Sequence, residues 1–351
     1  MLTVEQIVIA ASEMGASDVH LVCGLPPKCR LDGELKNILP ITLTDEDCEA
    51  LAREACGDDY DTYLQVGELD LGSTIAGRRC RLNIFRQQGH SSIALRILSA
   101  KILELSKLGV PKAVTTFSKF NKGIVLVCGE TGSGKSTTLA AILDEINHTQ
   151  SKHIVTMEDP IEYIYTPDKC IFNQREVGRD THSFADALRA VLREDPDVIL
   201  VGELRDPITI ETALTAAETG HLVFATLHTN SAVDSVERIV GSFAADRQAQ
   251  IRTVLSSTLQ AVLAQQLLRH ASGHGRVLAA ECMVVTPAIR NLIREGKTPM
   301  MMSAMLSSAK EGSLTMDNCL LNLVGERKIT PQTAFDSCFD KEYMKKKLML
   351  A

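Results

Sequence analysis

Five apolar residues, Ile124 to Cys128, run directly into Gly129-Glu130-Thr131-Gly132-Ser133-Gly134-Lys135-Ser136. Beyond them Leu139, Ile142, Leu143 and Ile146 recur on one helical face. GxxxxGK[ST] set between a strand and a helix is a phosphate loop, and no other stretch restricts the fold as much. Its glycines let successive backbone N–H groups curl around phosphates, and the helix N-terminus behind them adds partial positive charge. The reading assigns Gly129, Glu130, Thr131, Gly132, Ser133, Gly134, Lys135, Ser136 and Thr137 to nucleotide binding. Lys135 reaches for the β/γ-phosphates and the Ser136 hydroxyl for Mg²⁺.

The chain around this motif alternates. Ile124 to Cys128, His153 to Met157, Val198 to Val201 and Leu222 to Leu227 are apolar runs separated by helical stretches. Parallel strands need crossover connections, so the pattern predicts an α/β fold with a parallel-sheet core. Asp246 to Arg269 reads as one long helix, Val277 to Val285 as a further strand, and Thr286 to Ala351 as a helical tail. Before the motif the pattern differs. Val4, Ile7, Val8, Ala11 and Met14 mark a helix that Gly15 stops. Val19 to Val22, Cys29 to Leu31, Leu35 to Ile38, Arg79 to Phe85 and Ser92 to Ile97 read as strands, with a hairpin turn at Asp32-Gly33 and a helix over Asp45 to Cys56. These divisions predict an N-terminal α+β domain over 1–98, an interdomain linker over 99–117 around Gly109-Val110-Pro111, and an ATPase-type domain with C-terminal helices over 118–351.

Composition narrows the function. With 351 residues, 45% of them apolar, the chain is too long for one ordinary core and too apolar for disorder. The charge sum of −7 and 4% aromatics oppose a nucleic-acid-binding surface. No stretch approaches the roughly 18 apolar residues of a membrane span, and the N-terminus carries acids within an amphipathic pattern, so a cytoplasmic protein is expected. The ten cysteines contain no CxxC pair, which removes the usual zinc signature and points to reduced, packed thiols.

Several polar residues end predicted strands. Glu158, Asp159 and Glu162 follow the run His153 to Met157, and such crowded carboxylates favour a cation or polarised water among them. Asp197 to Glu203 has the form of a Walker B segment. Gly202 stands where many phosphate-loop enzymes carry the Mg²⁺-binding aspartate, which shifts metal binding onto Ser136, Glu158 and Asp159. Glu203, with Glu162 as its rival, is the residue to orient an attacking water. His228 ends the run Leu222 to Leu227 and so lies at the same edge, within reach of a γ-phosphate. His221 falls at the opposite end.

Taken together, GETGSGKST, TMEDPIEY, REDPDVILVGELRD and TGHLVFATLHTNSA resemble the Walker A, Asp, Walker B and His boxes of the secretion ATPase superfamily. Their spacing is most similar to the PilT-like branch, the type IV pilus retraction motors, and AIRNLIREGK (Ala288 to Lys297) resembles a segment associated with retraction. The resemblance implies a PAS-like first domain, a RecA-like P-loop ATPase second domain, and a homohexamer hydrolysing ATP with Mg²⁺ at subunit boundaries. It also implies that first-domain arginines, Arg81 and Arg96 by their place in RLNIF and ALRI, supply charge to the phosphoryl transition state of a neighbour. The implied location is the cytoplasmic face of the inner membrane. The implied partners are a pilus platform protein and, through it, pilin, with no nucleic acid.

The tail departs from the family pattern at Met300, Met301, Met302 and Met305, readable as core packing or as an adaptable surface. Arg290, Arg294 and Lys297 are expected to project from the face of their helix opposite Ile289, Leu292 and Ile293. Two alternatives keep part of the pattern. A pilus extension or type II secretion ATPase shares the boxes but usually adds a further N-terminal domain and a tetracysteine segment. A RecA-like nucleic-acid translocase shares the core but conflicts with the charge balance.

Overall fold

Thr3 and Thr44 open the first two helices in the same way, each accepting a backbone N–H with its side chain while the residue three places on, Gln6 or Asp47, reaches back to the cap. Each such reciprocal cap satisfies backbone donors that a helix start otherwise leaves unpaired. The structure is a computed structural model that describes residues 2–31, 34–98 and 101–349. Its chain forms two compact units, residues 1–101 with 160–164, and residues 102–159 with 165–351.

The first unit comprises α1 (Val4–Glu13), β1 (Asp18–Leu21), β2 (Lys28–Leu31), β3 (Glu34–Asn37), α2 (Asp45–Cys56), α3 (Tyr60–Val66), β4 (Glu68–Ile75), β5 (Arg78–Gln87) and β6 (His90–Ile97). Its sheet runs β3-β2-β1-β6-β5-β4 and every pairing is antiparallel. Cys80, Leu82 and Ile84 alternate inward along β5 and join Val8, Leu51 and Tyr63 in one core. Arg79, Arg81 and Asn83 therefore lie on the other face. Asp32-Gly33, expected as the β2–β3 turn, lies outside the described residues, although Leu31 pairs with Glu34.

In the second unit follow β7 (Gly123–Cys128), α4 (Lys135–Thr149), β8 (His153–Glu158), β9 (Ile171–Glu176), α5 (Phe184–Val191), β10 (Val198–Val201), α6 (Pro207–Glu218) and β11 (Leu222–Leu227). The remainder is α7 (Ala232–Gly241), α8 (Gln248–Thr258), β12 (Leu259–Arg269), β13 (Arg276–Val284), α9 (Pro287–Arg294), α10 (Met301–Ser307), α11 (Met316–Gly325), α12 (Pro331–Ser337) and α13 (Lys341–Leu348). The sheet order is β13-β12-β7-β11-β10-β8-β9, parallel throughout except for β13 against β12. All residues of β7, β10 and β11 are buried, as a sheet covered on both faces requires. Among the described residues no helix is long and apolar enough to cross a membrane.

Two expectations are corrected, the long helix and the projection of Arg290. Asp246 to Arg269 is not one helix: α8 stops at Thr258 and Leu259–Arg269 forms β12, with β7 on one side and β13 on the other. Leu, Ala and Gln favour helices, but two neighbouring ladders and burial from Ala261 to Gln265 outweigh that weak preference. Of the linker, Ser99 and Ala100 lie outside the described residues, while Ile102 to Phe117 clusters with the second unit. That segment carries two short 3-10 helices that bury Leu105, Val114 and Phe117. Arg290 does not project freely. Its guanidinium donates to Ser256 O at 2.9 Å, Ser257 O at 3.1 Å and Gln260 Oε1 at 3.0 Å, and so closes the C-terminal end of α8. Arg294 and Lys297 are exposed, and in the methionine tail Met301 and Met305 are fully buried while Met300 faces solvent.

Candidate nucleotide site

Gly129, Gly132 and Gly134 have φ of 141°, 80° and 93°, values that side chains strain to reach. A Cβ at Gly129 would also collide with Gln265 O and Ser133 Oγ. Gly134 caps α4, no side chain caps that helix, and its first turn holds no acid. An anion at this N-terminus is therefore favoured by both the backbone donors and the helix dipole. Ser133 Oγ is buried without a hydrogen-bond partner, which suits a phosphate oxygen or water at the loop. Lys135 Nζ donates to Gly129 O at 2.7 Å and Glu130 O at 3.0 Å, so its ammonium lies along the loop's own carbonyls. Ser136 and Thr137 follow in the first turn of α4.

A cavity of about 390 Å³ opens beside the loop, lined by Glu130 to Ser133, Asn230, Gln265 to Leu268, Asp336 and Ser337. The β12 and α12 residues were not legible as site residues. β12 read as helix, and Asp336-Ser337 carries no motif.

Register places the other strand ends beside the loop. Cys128 pairs with Leu227, Ala225 with Val201, and Val201 with Met157, so β7, β11, β10 and β8 end at one edge. Glu203 and His228 meet there, with Nε2 3.4 Å from Oε1. Arg205, which no sequence pattern singled out, holds Glu203 through Nε at 2.8 Å and reaches Asp159 at 3.7 Å. Glu203 is only 19% exposed, which lets these pairings orient it. Glu158 instead accepts from Thr156 Oγ1 at 2.6 Å and Gln174 Nε2 at 3.4 Å. Glu158, Asp159 and Glu203 do not converge as a carboxylate cluster. His221, at the other edge, makes a 2.9 Å contact with Ala216 O through Nδ1, a structural role.

The glycine of the Walker B segment has a local reason. Gly202 N–H donates to Met157 O at 2.8 Å, and a Cβ on Gly202 would lie 3.0 Å from that oxygen and 3.3 Å from Glu158 Cα. The end of β8 crowds out a side chain there.

Glu162, Arg81 and Arg96 belong to the first unit. Glu162 sits on the excursion Pro160 to Ile164, where Arg79 Nε donates to Ile161 O at 2.7 Å. Arg81 and Arg96 are direct cross-strand partners. Like charges so placed repel, and Asp70 offsets Arg81 through two oxygens while Asp18 accepts from Arg96 Nε at 2.8 Å. Burial acts to raise the Asp18 carboxyl, but hydrogen bonds from Ser17 and Arg96 outweigh it and hold it below the usual carboxylate range.

A doubly wound sheet with a phosphate loop at the strand ends and a glutamate-histidine pair at the same edge defines a P-loop nucleotide-hydrolase class. The Type II/IV secretion system protein family matches residues 75–320, and the chain belongs to that family. Over 338 residues it is 45% identical to the "Type IV pilus retractation ATPase PilT" of Pseudomonas aeruginosa, covering 95% of this chain and 97% of that protein. It is 43% identical to a "Twitching motility protein" of Neisseria gonorrhoeae, covering 88% of this chain and 83% of the relative. The crystal structure of the pilus retraction motor PilT with bound ADP superposes with a TM-score of 0.92 at 46% identity, covering 99% of this chain and all of that one.

Proposed function

We propose that this chain is an ATP-hydrolysing ring motor that powers type IV pilus retraction. The observation that carries the hydrolytic part is the meeting of the phosphate loop with the Glu203–His228 pair at one sheet edge. The near-complete similarity to retraction ATPases carries the biological part. Loop N–H groups and the Lys135 ammonium bind the phosphates of ATP, and Lys135 exchanges its loop carbonyls for β/γ-oxygens. Glu203, steadied by Arg205, orients a water and accepts its proton, and His228 donates a hydrogen bond toward the γ-phosphate. Ser136 would ligate a magnesium ion carried by the nucleotide, with Glu158 and Asp159 acting on it through water, and the ion would neutralise phosphate charge. Arg81 and Arg96 act in a neighbouring subunit of a homohexamer, releasing Asp70 and Asp18 to do so. Its place is the cytoplasmic face of the inner membrane, against a platform protein that handles pilin.

Lys135→Ala tests this reading. We expect phosphate release to fall to background, and a deletion strain complemented with the variant to remain piliated without twitching. Undiminished turnover overturns the assignment of the loop, and normal twitching overturns retraction.

A further inference from the structure

Three segments of the first unit bring together groups that hydrolysis does not use. They are Cys23 in the β1–β2 loop, Asp45 at the start of α2, and His90 at the start of β6. One ligand atom from each, a thiol sulfur, a carboxylate oxygen and an imidazole nitrogen, lies within 4.8 Å of the other two. Among the described residues no other group of three such side chains gathers this closely. His90 Nδ1 is 2.6 Å from Asp45 Oδ1.

An exposed histidine-aspartate pair is by itself an ordinary surface contact worth about 0–1 kcal/mol. It does not account for the thiol. Cys23 is the one cysteine of the ten that is not buried. Cys48, one helical turn beyond Asp45, is buried. Asp45, Glu46 and Asp47 fill the first turn of α2 and give the spot a negative field.

Sulfur, nitrogen and oxygen in one set exclude Mg²⁺ and Ca²⁺, which take oxygen alone, and match zinc. We propose that Cys23, Asp45 and His90 form a zinc(II) site, with water as the fourth ligand. Bond lengths of a tetrahedral zinc centre set ligand atoms of these types roughly 3.3–3.7 Å apart, so side-chain rotation closes the set and opens the His90–Asp45 contact. On binding, the Cys23 thiol loses its proton to solvent and its sulfur bonds the metal. The ion then clamps the β1–β2 loop, the start of α2 and the β5–β6 turn into one piece. The fourth position stays open to solvent because His90 and Asp45 are 43% and 59% exposed.

The intact protein, stripped with chelator, reduced and kept in excess Mg²⁺, is titrated with Co²⁺ and then Zn²⁺. One equivalent of Co²⁺ should produce thiolate-to-metal charge transfer with tetrahedral d–d bands, and Zn²⁺ should displace it. Cys23→Ser should abolish the charge-transfer band, His90→Gln should weaken Zn²⁺ binding at least tenfold, and Cys48→Ser should keep the band. ATPase turnover within about twofold of wild type in each variant reports an intact fold. One equivalent of Zn²⁺ should also protect Cys23 of the unaltered protein from alkylation, read at that residue by mass spectrometry. Absence of the charge-transfer band, its persistence in Cys23→Ser, or alkylation of Cys23 at an unchanged rate with zinc present overturns the site.

Discussion

Glu203 is held by Arg205 on one side and His228 on the other, so its carboxylate keeps a defined direction at the sheet edge. Glu203→Gln preserves that shape and removes the charge. We expect it to bind ATP normally and to turn over at least about a hundredfold more slowly, the scale of a lost general base. Filter binding and phosphate release separate the two effects. If Glu162→Gln shows this behaviour and Glu203→Gln turns over normally, the roles of the two carboxylates are reversed. The phosphate loop was readable because its residues are contiguous and their spacing is the mechanism. Glu203 and His228 were readable as strand-ending polar residues. Arg205 was not, because a guanidinium two residues past a glutamate has no meaning until the turn after β10 folds it back.

Elements show the same contrast. β7, β10 and β11 announce themselves as short apolar runs because both faces are buried, and α2 by its spacing. β12 misled because Leu, Ala and Gln favour a helix, and only its neighbours β7 and β13 decide otherwise. Edge strand β9 passed unread, since four of its six residues are polar and Ile171 is 64% exposed. On β13, Glu281 is fully buried and accepts the N–H of Ala232 at 2.8 Å and of Met316 at 3.3 Å, tying the starts of α7 and α11 to the sheet. Burial raises its carboxyl above the ordinary 4.5, and the two N–H bonds only partly oppose this. The native state therefore retains a proton that the unfolded chain loses near pH 4.5, and this share of stability declines as pH rises from there through the raised value. Glu281→Gln should flatten that decline in thermal melts taken across pH. Glu281→Ala should leave two buried donors unpaired and destabilise the protein by roughly 1–3 kcal/mol.

For the whole molecule, the proposed ring makes activity a collective property. Lys135→Ala subunits keep their arginines, and Arg81→Ala subunits keep their phosphate loops. Mixed under conditions where subunits exchange, the two inactive variants should regain part of the wild-type turnover if arginines act across subunit boundaries, and phosphate release against mixing ratio measures it. Strictly additive inactivity counts against the arrangement. The excursion Pro160 to Ile164 bears on any attempt to study the halves separately. The chain passes from one unit to the other after Lys101, returns after Asp159, and leaves again after Ile164. Neither half is thus a continuous stretch of polypeptide. A fragment ending at Lys101 lacks the buried Pro160 and Ile161 and deprives Arg79 of the Ile161 carbonyl, while a fragment beginning there carries those residues as a stray loop. No single cut frees two natural pieces, and swapping one half between relatives means moving five residues from inside the other half as well.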